Sequence, residues 1–161
     1  MYKVGIGYDI HRFVPKRKLF LGGVNVPNPS GLLGYSDGDV VMHAVCDALL
    51  GAMGEDDIGR HFPVSDPAYK NIRSIKLLEK VRGLLEKKFF LVGNVDVMVI
   101  MESPKIADFK VKMRKNIAKA LKIDVAQVSI KATTNEGVGG IGRGEAAAAY
   151  AVAMIQSRRS L

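Results

Sequence analysis

Residues 36–53 read SDGDVVMHAVCDALLGAM, and this stretch predicts a helix. Ser36, followed by Asp39 three residues later, resembles a capping box in which Asp replaces the usual Glu. The apolar residues after them recur at the spacing of one helix face: Val41, Val45, Ala48, Leu49 and Ala52. We expect the helix to run to about Met53 and to end at Gly54, a residue type that commonly terminates helices.

The segments on either side of this helix carry further strand and helix patterns. Before it lie two β-prone runs, over 2–13 and 19–26, with a turn at 15–18 between them. After it come a helix over about 71–88, a strand over 89–101, a helix from Ser103-Pro104 to about 121, a strand over 128–134, a glycine-rich turn over 137–144 and a helix over 145–157. This order predicts an α+β fold, with a single mixed β-sheet covered by helices.

The length and composition bound the class of protein. A chain of 161 residues, with 48% hydrophobic and 25% charged residues, suits one globular domain over 1–161 rather than a disordered segment. The single Cys46 excludes an internal disulfide framework and permits a reducing compartment. No apolar run reaches the roughly 18 residues that span a bilayer, and charged residues from Asp9 onward interrupt any signal-type core. We therefore expect a cytoplasmic protein with no membrane partner.

The net charge of +8 admits two kinds of partner, a nucleic acid or a small polyanion such as a phosphorylated metabolite. Seven basic residues lie between Lys105 and Lys122, a pattern typical of a solvated helix face. Aromatic residues are only 7% of the chain, include no Trp and do not interleave with this basic cluster. Since a single-strand platform needs such aromatics, we expect no nucleic-acid partner.

A possible metal site begins with Asp9 and His11. Two residues apart on a strand, they project from the same face, and a carboxylate with an imidazole suits a divalent cation, zinc above all. The alternative is a surface pair that binds no metal. His43 on the first helix is the best candidate for a third ligand, and three protein ligands leave the open position of a catalytic zinc.

Two further residues of this helix bear on the same site. Asp47 lies one turn after His43, where a carboxylate can orient the imidazole ring of a metal ligand. Cys46 lies three residues after His43 and is within possible reach of a metal. The favoured interpretation of Cys46 is nevertheless a small buried hydrophobic residue.

Residues 137–142 read GVGGIG, the spacing of a dinucleotide-binding turn. That motif also needs an acidic residue about 20 positions later, which the given sequence does not supply, and no P-loop Gly-Lys-Ser/Thr follows. We interpret the turn as an anion site, to which Thr133 and Thr134 add hydroxyl donors and Arg143 a guanidinium. Glu136 then suits a second cation on bound phosphates; the alternative is a tight turn with a salt bridge.

A loop at 56–59 holds adjacent carboxylates, Asp56 and Asp57, followed by Ile58-Gly59. Such a loop suits sugar hydroxyls or a cation, and is equally ordinary as a solvated acidic loop.

Taken together, the motifs resemble the 2-C-methyl-D-erythritol 2,4-cyclodiphosphate synthase family of the non-mevalonate isoprenoid pathway. In family order and spacing, the matching segments are GIGYDIH (5–11), SDGDV (36–40) through His43, DALLG (47–51), DIG (57–59) with Phe62-Pro63, GNVD (93–96), Pro104-Lys105, KATT (131–134) with Glu136, and GRGE (142–145).

The resemblance implies a phosphorus–oxygen lyase that forms a homotrimer with active sites at subunit interfaces. The implied reaction is the conversion of 4-diphosphocytidyl-2-C-methyl-D-erythritol 2-phosphate to 2-C-methyl-D-erythritol 2,4-cyclodiphosphate and CMP by metal-assisted intramolecular phosphoryl transfer. Asp9, His11 and His43 match ligands of Zn²⁺ or another divalent transition metal. Glu136 matches the ligand of a second ion, Mg²⁺ or Mn²⁺, on the substrate diphosphate.

The resemblance also assigns the residues that handle the substrate. Thr134 matches a residue that steadies the transferring phosphate, and Tyr35 stands where the family usually has a His that holds the 2-phosphate. Residues 101–107 match the cytosine pocket, read largely by backbone groups. The expected substrate contacts are Asp9, His11, Tyr35, Ser36, Asp57, Ile58, Gly59, Phe62, Met101, Pro104, Lys105, Ile106, Ala107, Thr133, Thr134, Asn135, Glu136 and Arg143.

Two other functions fit part of the pattern. A metal-dependent phosphohydrolase would use the same ligands with a water nucleophile, and would release free phosphate. A basic, non-catalytic oligomer that binds RNA or a nucleotide would need neither the metal ligands nor Glu136.

Overall fold

A computed structural model, which describes residues 1–158, has one five-stranded mixed sheet with helices on one face. The strands are β1 (Tyr2–Pro15), β2 (Leu19–Leu21), β3 (Val24–Val26), β4 (Ser30–Leu32), β5 (Phe90–Ile100), β6 (Val128–Thr133) and β7 (Ala146–Ser157). The helices are α1 (Val40–Met53), α2 (Ile58–His61), α3 (Ser74–Lys87), α4 (Lys110–Leu121) and α5 (Gly139–Gly142). The sheet order is β4-β1-β7-β5-β6, with β5 and β6 parallel and the other pairs antiparallel, while β2 and β3 form a separate hairpin. The predicted fold class is confirmed.

Helix α1 lies against the sheet and is buried along nearly its whole length. Its N-cap is Asp39, whose Oδ1 accepts from the Met42 amide at 3.1 Å, so the predicted capping box led by Ser36 is wrong. The Asp39 carboxylate also accepts from the amides of Gly22 and Gly23, at 2.9 and 2.7 Å, and thereby joins the β2–β3 turn to the helix. The helix ends at a left-handed Gly54, as predicted.

The last predicted helix, over 145–157, is wrong, because these residues form strand β7 between β1 and β5. Alanine favours a helix, but tertiary pairing on both sides outweighs that preference. Ala149, Ala151 and Ala153 point inward and are fully buried, while Tyr150 and Val152 alternate with them on the other face. This period of two was the signal for a strand.

The helix predicted from Ser103-Pro104 begins later than expected, because α4 starts only at Lys110. The residues before it form a loop in which Met101 and Ile106 turn inward and are buried. Pro104 also disfavours a helical conformation at the residue before it. The basic residues of α4 lie mostly on its exposed side, with Met113 and Ile117 on the buried side, which confirms a solvated face.

The second face of the sheet is apolar and open. Its exposed large side chains, on the neighbouring strands β1 and β7, are Val4, Ile6, Tyr8, Ile10, Tyr150 and Val152. Tyr8 and Tyr150 stack on this face with their ring centroids 4.6 Å apart. No helix among residues 1–158 has the length and apolar character needed to cross a membrane.

Candidate active site

Three predicted metal ligands come together between β1 and α1. Asp9 and His11 project from β1 toward the helix, and α1 places His43 opposite them. The Oδ2 atom of Asp9 lies 2.8 Å from both His11 Nε2 and His43 Nδ1, and these two nitrogens are 3.3 Å apart. Tetrahedral zinc with bonds of about 2.0–2.1 Å holds its ligand atoms roughly 3.4 Å apart. The three atoms therefore fit one ion after only a small outward movement.

The charge of the cluster also suits a cation. Burial opposes ionisation of the Asp9 carboxyl, but hydrogen bonds with His11 and His43 outweigh it and hold its pKa well below the usual range. Burial lowers the pKa of His11, yet the hydrogen bond and charge of Asp9 leave that pKa raised overall. The Ile10 amide donates to Asp9 Oδ1 at 2.9 Å, which leaves Oδ2 turned toward the two imidazoles.

The far side of the His43 ring contacts two hydroxyls. Its Nε2 atom lies 2.8 Å from Ser74 Oγ and 3.0 Å from Ser36 Oγ. The prediction that Asp47 orients this ring is wrong, because Asp47 Oδ1 instead accepts from the Ile58 amide at 2.8 Å. Ser74 was missed because it lies 31 residues beyond His43, and no local spacing connects the two.

A cavity of about 230 Å³ opens in front of the three ligands. It is lined by the ligands, by the predicted residues Tyr35, Ser36, Ile58, Gly59 and Phe62, and by Asp47, Val64, Tyr69, Ile72 and Leu77. The last four are an apolar wall that the sequence interpretation missed, because nothing in their local pattern points to a site.

Two residues near this cavity have structural contacts of their own. Asp57 caps α2, with its Oδ1 accepting from the Arg60 amide at 2.9 Å, and it remains exposed. Cys46 is fully buried in α1, and burial raises the pKa of its thiol well above the usual value. The interpretation of Cys46 as a small buried hydrophobic residue is therefore confirmed.

A second group of predicted residues follows the parallel strands β5 and β6. The loop at 101–107 leaves β5 and the loop at 133–136 leaves β6, so both lie at the carboxyl ends where such sheets bind ligands. The Met101 amide donates to the Thr133 carbonyl at 3.1 Å, and this contact holds the loops side by side. Thr134 Oγ1 donates to Glu136 Oε1 at 3.0 Å, with both side chains exposed.

Other members of this group frame the two loops. The Asn135 amide donates to Glu102 Oε1 at 2.7 Å, which joins the loops a second time. Ile106 is buried, whereas Lys105 and Ala107 are exposed beside it. Arg143 Nε donates to Glu145 Oε1 at 2.7 Å, so the glycine-rich turn carries the salt bridge that the alternative interpretation predicted.

The two groups lie apart on one chain. The sheet register aligns Ile10 with Ala148, Ala148 with Ile100, and Ile100 with Thr133. Three strand spacings of about 4.8 Å therefore separate Ile10 from Thr133, or about 14 Å in all. The chain thus has two separate groups of candidate site residues. The metal group is Asp9, His11 and His43, and the loop group is formed by the loops at 101–107 and 133–136 together with Arg143.

Three kinds of comparison with known proteins match nearly the whole of this chain. The model of the YgbB family matches residues 2–156. A protein of Syntrophotalea carbinolica named 2-C-methyl-D-erythritol 2,4-cyclodiphosphate synthase is 53% identical over 155 residues, 96% of this chain and 94% of that protein. A Plasmodium falciparum IspF structure, a CDP complex, is 37% identical with a TM-score of 0.87, over 98% of this chain and 97% of that one. The bifunctional IspDF of Campylobacter jejuni is 39% identical with a TM-score of 0.94, over 98% of this chain but only 43% of that one.

Proposed function

The chain belongs to the YgbB family, the 2-C-methyl-D-erythritol 2,4-cyclodiphosphate synthases of non-mevalonate isoprenoid biosynthesis, and from this premise we propose how its own residues perform the reaction. The enzyme converts 4-diphosphocytidyl-2-C-methyl-D-erythritol 2-phosphate to the 2,4-cyclodiphosphate and CMP. The observation that supports the proposal is the convergence of Asp9, His11 and His43 at the mouth of a cavity.

Asp9 Oδ2, His11 Nε2 and His43 Nδ1 hold Zn²⁺ or another divalent transition metal, because one carboxylate and two imidazoles are a donor set that zinc favours. The exposed Glu136 carboxylate holds Mg²⁺ or Mn²⁺ on the substrate diphosphate. When bound, such ions screen the repulsion between the phosphates and polarise the phosphorus under attack.

The reaction needs no nucleophile from the protein. An oxygen of the substrate's 2-phosphate attacks the β-phosphorus, a new P–O bond closes the ring, and the bond to the bridging oxygen breaks to release CMP. The protein's task is to fold a flexible polyanion so that its own phosphates meet. Such positioning is worth roughly 7–11 kcal/mol.

The cavity residues hold the end of the substrate that carries the nucleophile. The Tyr35 hydroxyl and Ser36 grip the 2-phosphate from the cavity wall. Asp57, Ile58 and Gly59 at the start of α2 bind the erythritol hydroxyls, and Phe62 covers the carbon chain. In this arrangement the 2-phosphate rests beside the metal ligands.

The loop group holds the cytidine end. Residues 101–107, among them Met101, Pro104, Lys105, Ile106 and Ala107, read cytosine through their backbone groups. The diphosphate is surrounded by hydrogen-bond donors from Thr133, Thr134, Asn135 and Arg143. The Thr134 hydroxyl steadies the phosphate that is transferred. Glu136 lies two residues after Thr134 in the same loop, and its carboxylate would hold the ion that screens the diphosphate charge.

We infer that each site is assembled from two copies of the chain in a homotrimer. About 14 Å separates Ile10 from Thr133, and the cavity in front of the metal ligands is lined by no residue of the loop group, so a neighbouring copy brings its loop group to this chain's metal ligands. The open apolar sheet face, with Ile6 67% and Val152 42% exposed, supplies the surface on which the copies meet.

Phosphorus NMR of the substrate with enzyme, Zn²⁺ and Mg²⁺ tests the activity. We expect the substrate signals to be replaced by those of the cyclic diphosphate and CMP in equal amounts. The His43→Ala protein is the matched control and should bind less zinc and form no product while it remains folded. Free inorganic phosphate as the product would indicate a phosphohydrolase, and an unchanged substrate would indicate a binding protein; either result refutes the proposal.

A further inference from the structure

The His43 ring is connected to a chain of hydrogen bonds that leads away from the cavity. Its Nε2 atom lies 2.8 Å from the hydroxyl of Ser74, the first residue of α3. That hydroxyl donates to Asp37 Oδ1, and the Ser74 amide donates to Asp37 Oδ2 at 3.0 Å. Ser74 is fully buried and lies outside the cavity lining, so it does not reach the substrate.

The hydrogen bonds around Asp37 leave it only one role, that of an acceptor. Besides the two groups of Ser74, the Arg73 guanidinium donates to Asp37 Oδ2 at 3.2 Å and the Asp39 amide donates to Oδ1 at 3.3 Å. A carboxylate with four donors around it has no hydrogen to give. The single hydroxyl hydrogen of Ser74 therefore points to Asp37.

This direction decides the protonation pattern of the His43 ring. Because Ser74 gives its hydrogen to Asp37, its oxygen is the acceptor in the 2.8 Å contact with His43, and so Nε2 carries the hydrogen; the same oxygen also lies 3.3 Å from Ser36 Oγ. The lone pair of a neutral ring then lies on Nδ1, which is 2.8 Å from Asp9 Oδ2. Nδ1 is the atom that faces the metal position, and a bound cation would replace the hydrogen that His43 shares with Asp9 in the metal-free protein.

We propose that Ser74 and Asp37 are positioning residues that hold His43 in the ring orientation and tautomer that the metal requires. The proposal rests on the metal site of the proposed function and deepens it. A histidine ligand commonly donates its other ring nitrogen to an outer partner, and loss of that partner weakens metal binding by about 10- to 100-fold. Here the outer partner is a serine that a buried carboxylate orients in turn.

The hydrogen-bonded chain from His43 through Ser74 to Asp37, called the relay below, is held in place at its Asp37 end. Arg73 also donates to the Gly23 carbonyl at 3.1 Å, and its guanidinium lies 4.1 Å from the centroid of the Phe20 ring. These contacts tie Asp37 to the β2–β3 hairpin. Ser36 Oγ, the other neighbour of Nε2 at 3.0 Å, lines the cavity instead and is open to the substrate. Ser74, which is fully buried, is thus the contact of His43 Nε2 that lies away from the substrate cavity.

Zinc affinity of the intact protein, measured by competition with a chromophoric chelator, tests the relay. Ser74→Ala keeps the amide bond to Asp37 and removes only the hydroxyl, and we expect it to weaken zinc binding at least about tenfold. Ser129→Ala is the matched control, because Ser129 is an exposed serine on β6 and lies outside the cavity lining. We expect its zinc affinity to stay within about threefold of the parent protein.

Proton–nitrogen NMR of the histidine rings gives a readout that a purely structural role would not move. In the zinc-loaded parent we expect the His43 proton on Nε2, and in Ser74→Ala a shifted and faster-exchanging signal. Equal zinc affinity and an unchanged His43 signal in Ser74→Ala would refute the relay while the metal site stands. If Ser74→Ala does not fold, the parent decides: a His43 proton on Nδ1 overturns the proposal, and a parent that binds no zinc overturns the metal site as well.

Discussion

Gly7 on β1 lies directly beneath the backbone of Ala44 on α1, so closely that a β-carbon on Gly7 would overlap the Ala44 oxygen and stand 2.7 Å from the Ala48 amide nitrogen. Gly5 has the same relation to Ala48, one helical turn further along. Because glycine alone lacks a β-carbon, these two positions let the helix rest on the sheet backbone. That close approach is what brings His43 to within hydrogen-bond distance of Asp9.

Gly7→Ala should therefore lower the free energy of unfolding and weaken zinc binding. The added methyl must push α1 off the sheet, at a cost of about 1–3 kcal/mol or more. Gly83→Ala is the matched control, because that glycine lies within α3 with nothing inside 4 Å of a β-carbon. The control should gain roughly 0.5–1 kcal/mol. Denaturant titration measures the free energy of unfolding of both variants, and competition with a chelator measures their zinc affinity. Equal stability of Gly7→Ala and the parent would contradict the packing argument.

Ile6→Asp should disrupt the oligomer and abolish activity. Ile6 is 67% exposed on the open sheet face, next to Val152 of β7, and a carboxylate there would be desolvated between copies. Val111→Asp is the matched control, since Val111 is 57% exposed but lies on α4, away from that face. Light scattering with a turnover assay distinguishes them. An Ile6→Asp protein that keeps both its size and its activity would place the interface elsewhere.

Tyr35→Phe should reduce turnover modestly, and Tyr35→His should add a loss of activity on the acid side, near pH 6–7. The Tyr35 hydroxyl donates to the Asp66 carbonyl at 3.4 Å, beside the cavity, and phenylalanine lacks that hydroxyl, whereas a histidine side chain titrates in that pH range. Rates as a function of pH measure both effects. If Tyr35→Phe and the parent are indistinguishable at every pH, Tyr35 serves packing alone.

The helices and strands that neighbouring residues specify could be predicted from the sequence. Residues 36–54 predict α1 correctly because both signals, the spacing of the apolar residues and the terminating Gly54, lie within the helix itself or directly after it. Strand β7 was predicted as a helix because the preference of alanine is local, whereas its pairing with β1 and β5 is not. The period of two at Tyr150 and Val152 was the one local signal of the strand.

The same division holds at the site. Asp9, His11 and His43 are predictable because their residue types allow few other ligand sets. The partner of His43 was assigned to Asp47, one turn away, and proved to be Ser74, which comes from a separate helix. Only the folded chain shows which side chains two distant segments bring together.

We propose that each active site joins the metal ligands of one copy to the loop group of the next. His43→Ala removes a residue of the first group and Glu136→Ala removes one of the second, so each variant alone should be inactive. The two are co-expressed with different tags and purified on both, so that every trimer contains both chains.

In such a mixed trimer, one interface pairs an intact metal group with an intact loop group, whichever chain is present twice. The turnover rate of the mixed trimer should therefore be about one third of the parent rate. A rate no higher than that of either variant alone would show that one chain supplies both groups, and would contradict the shared site.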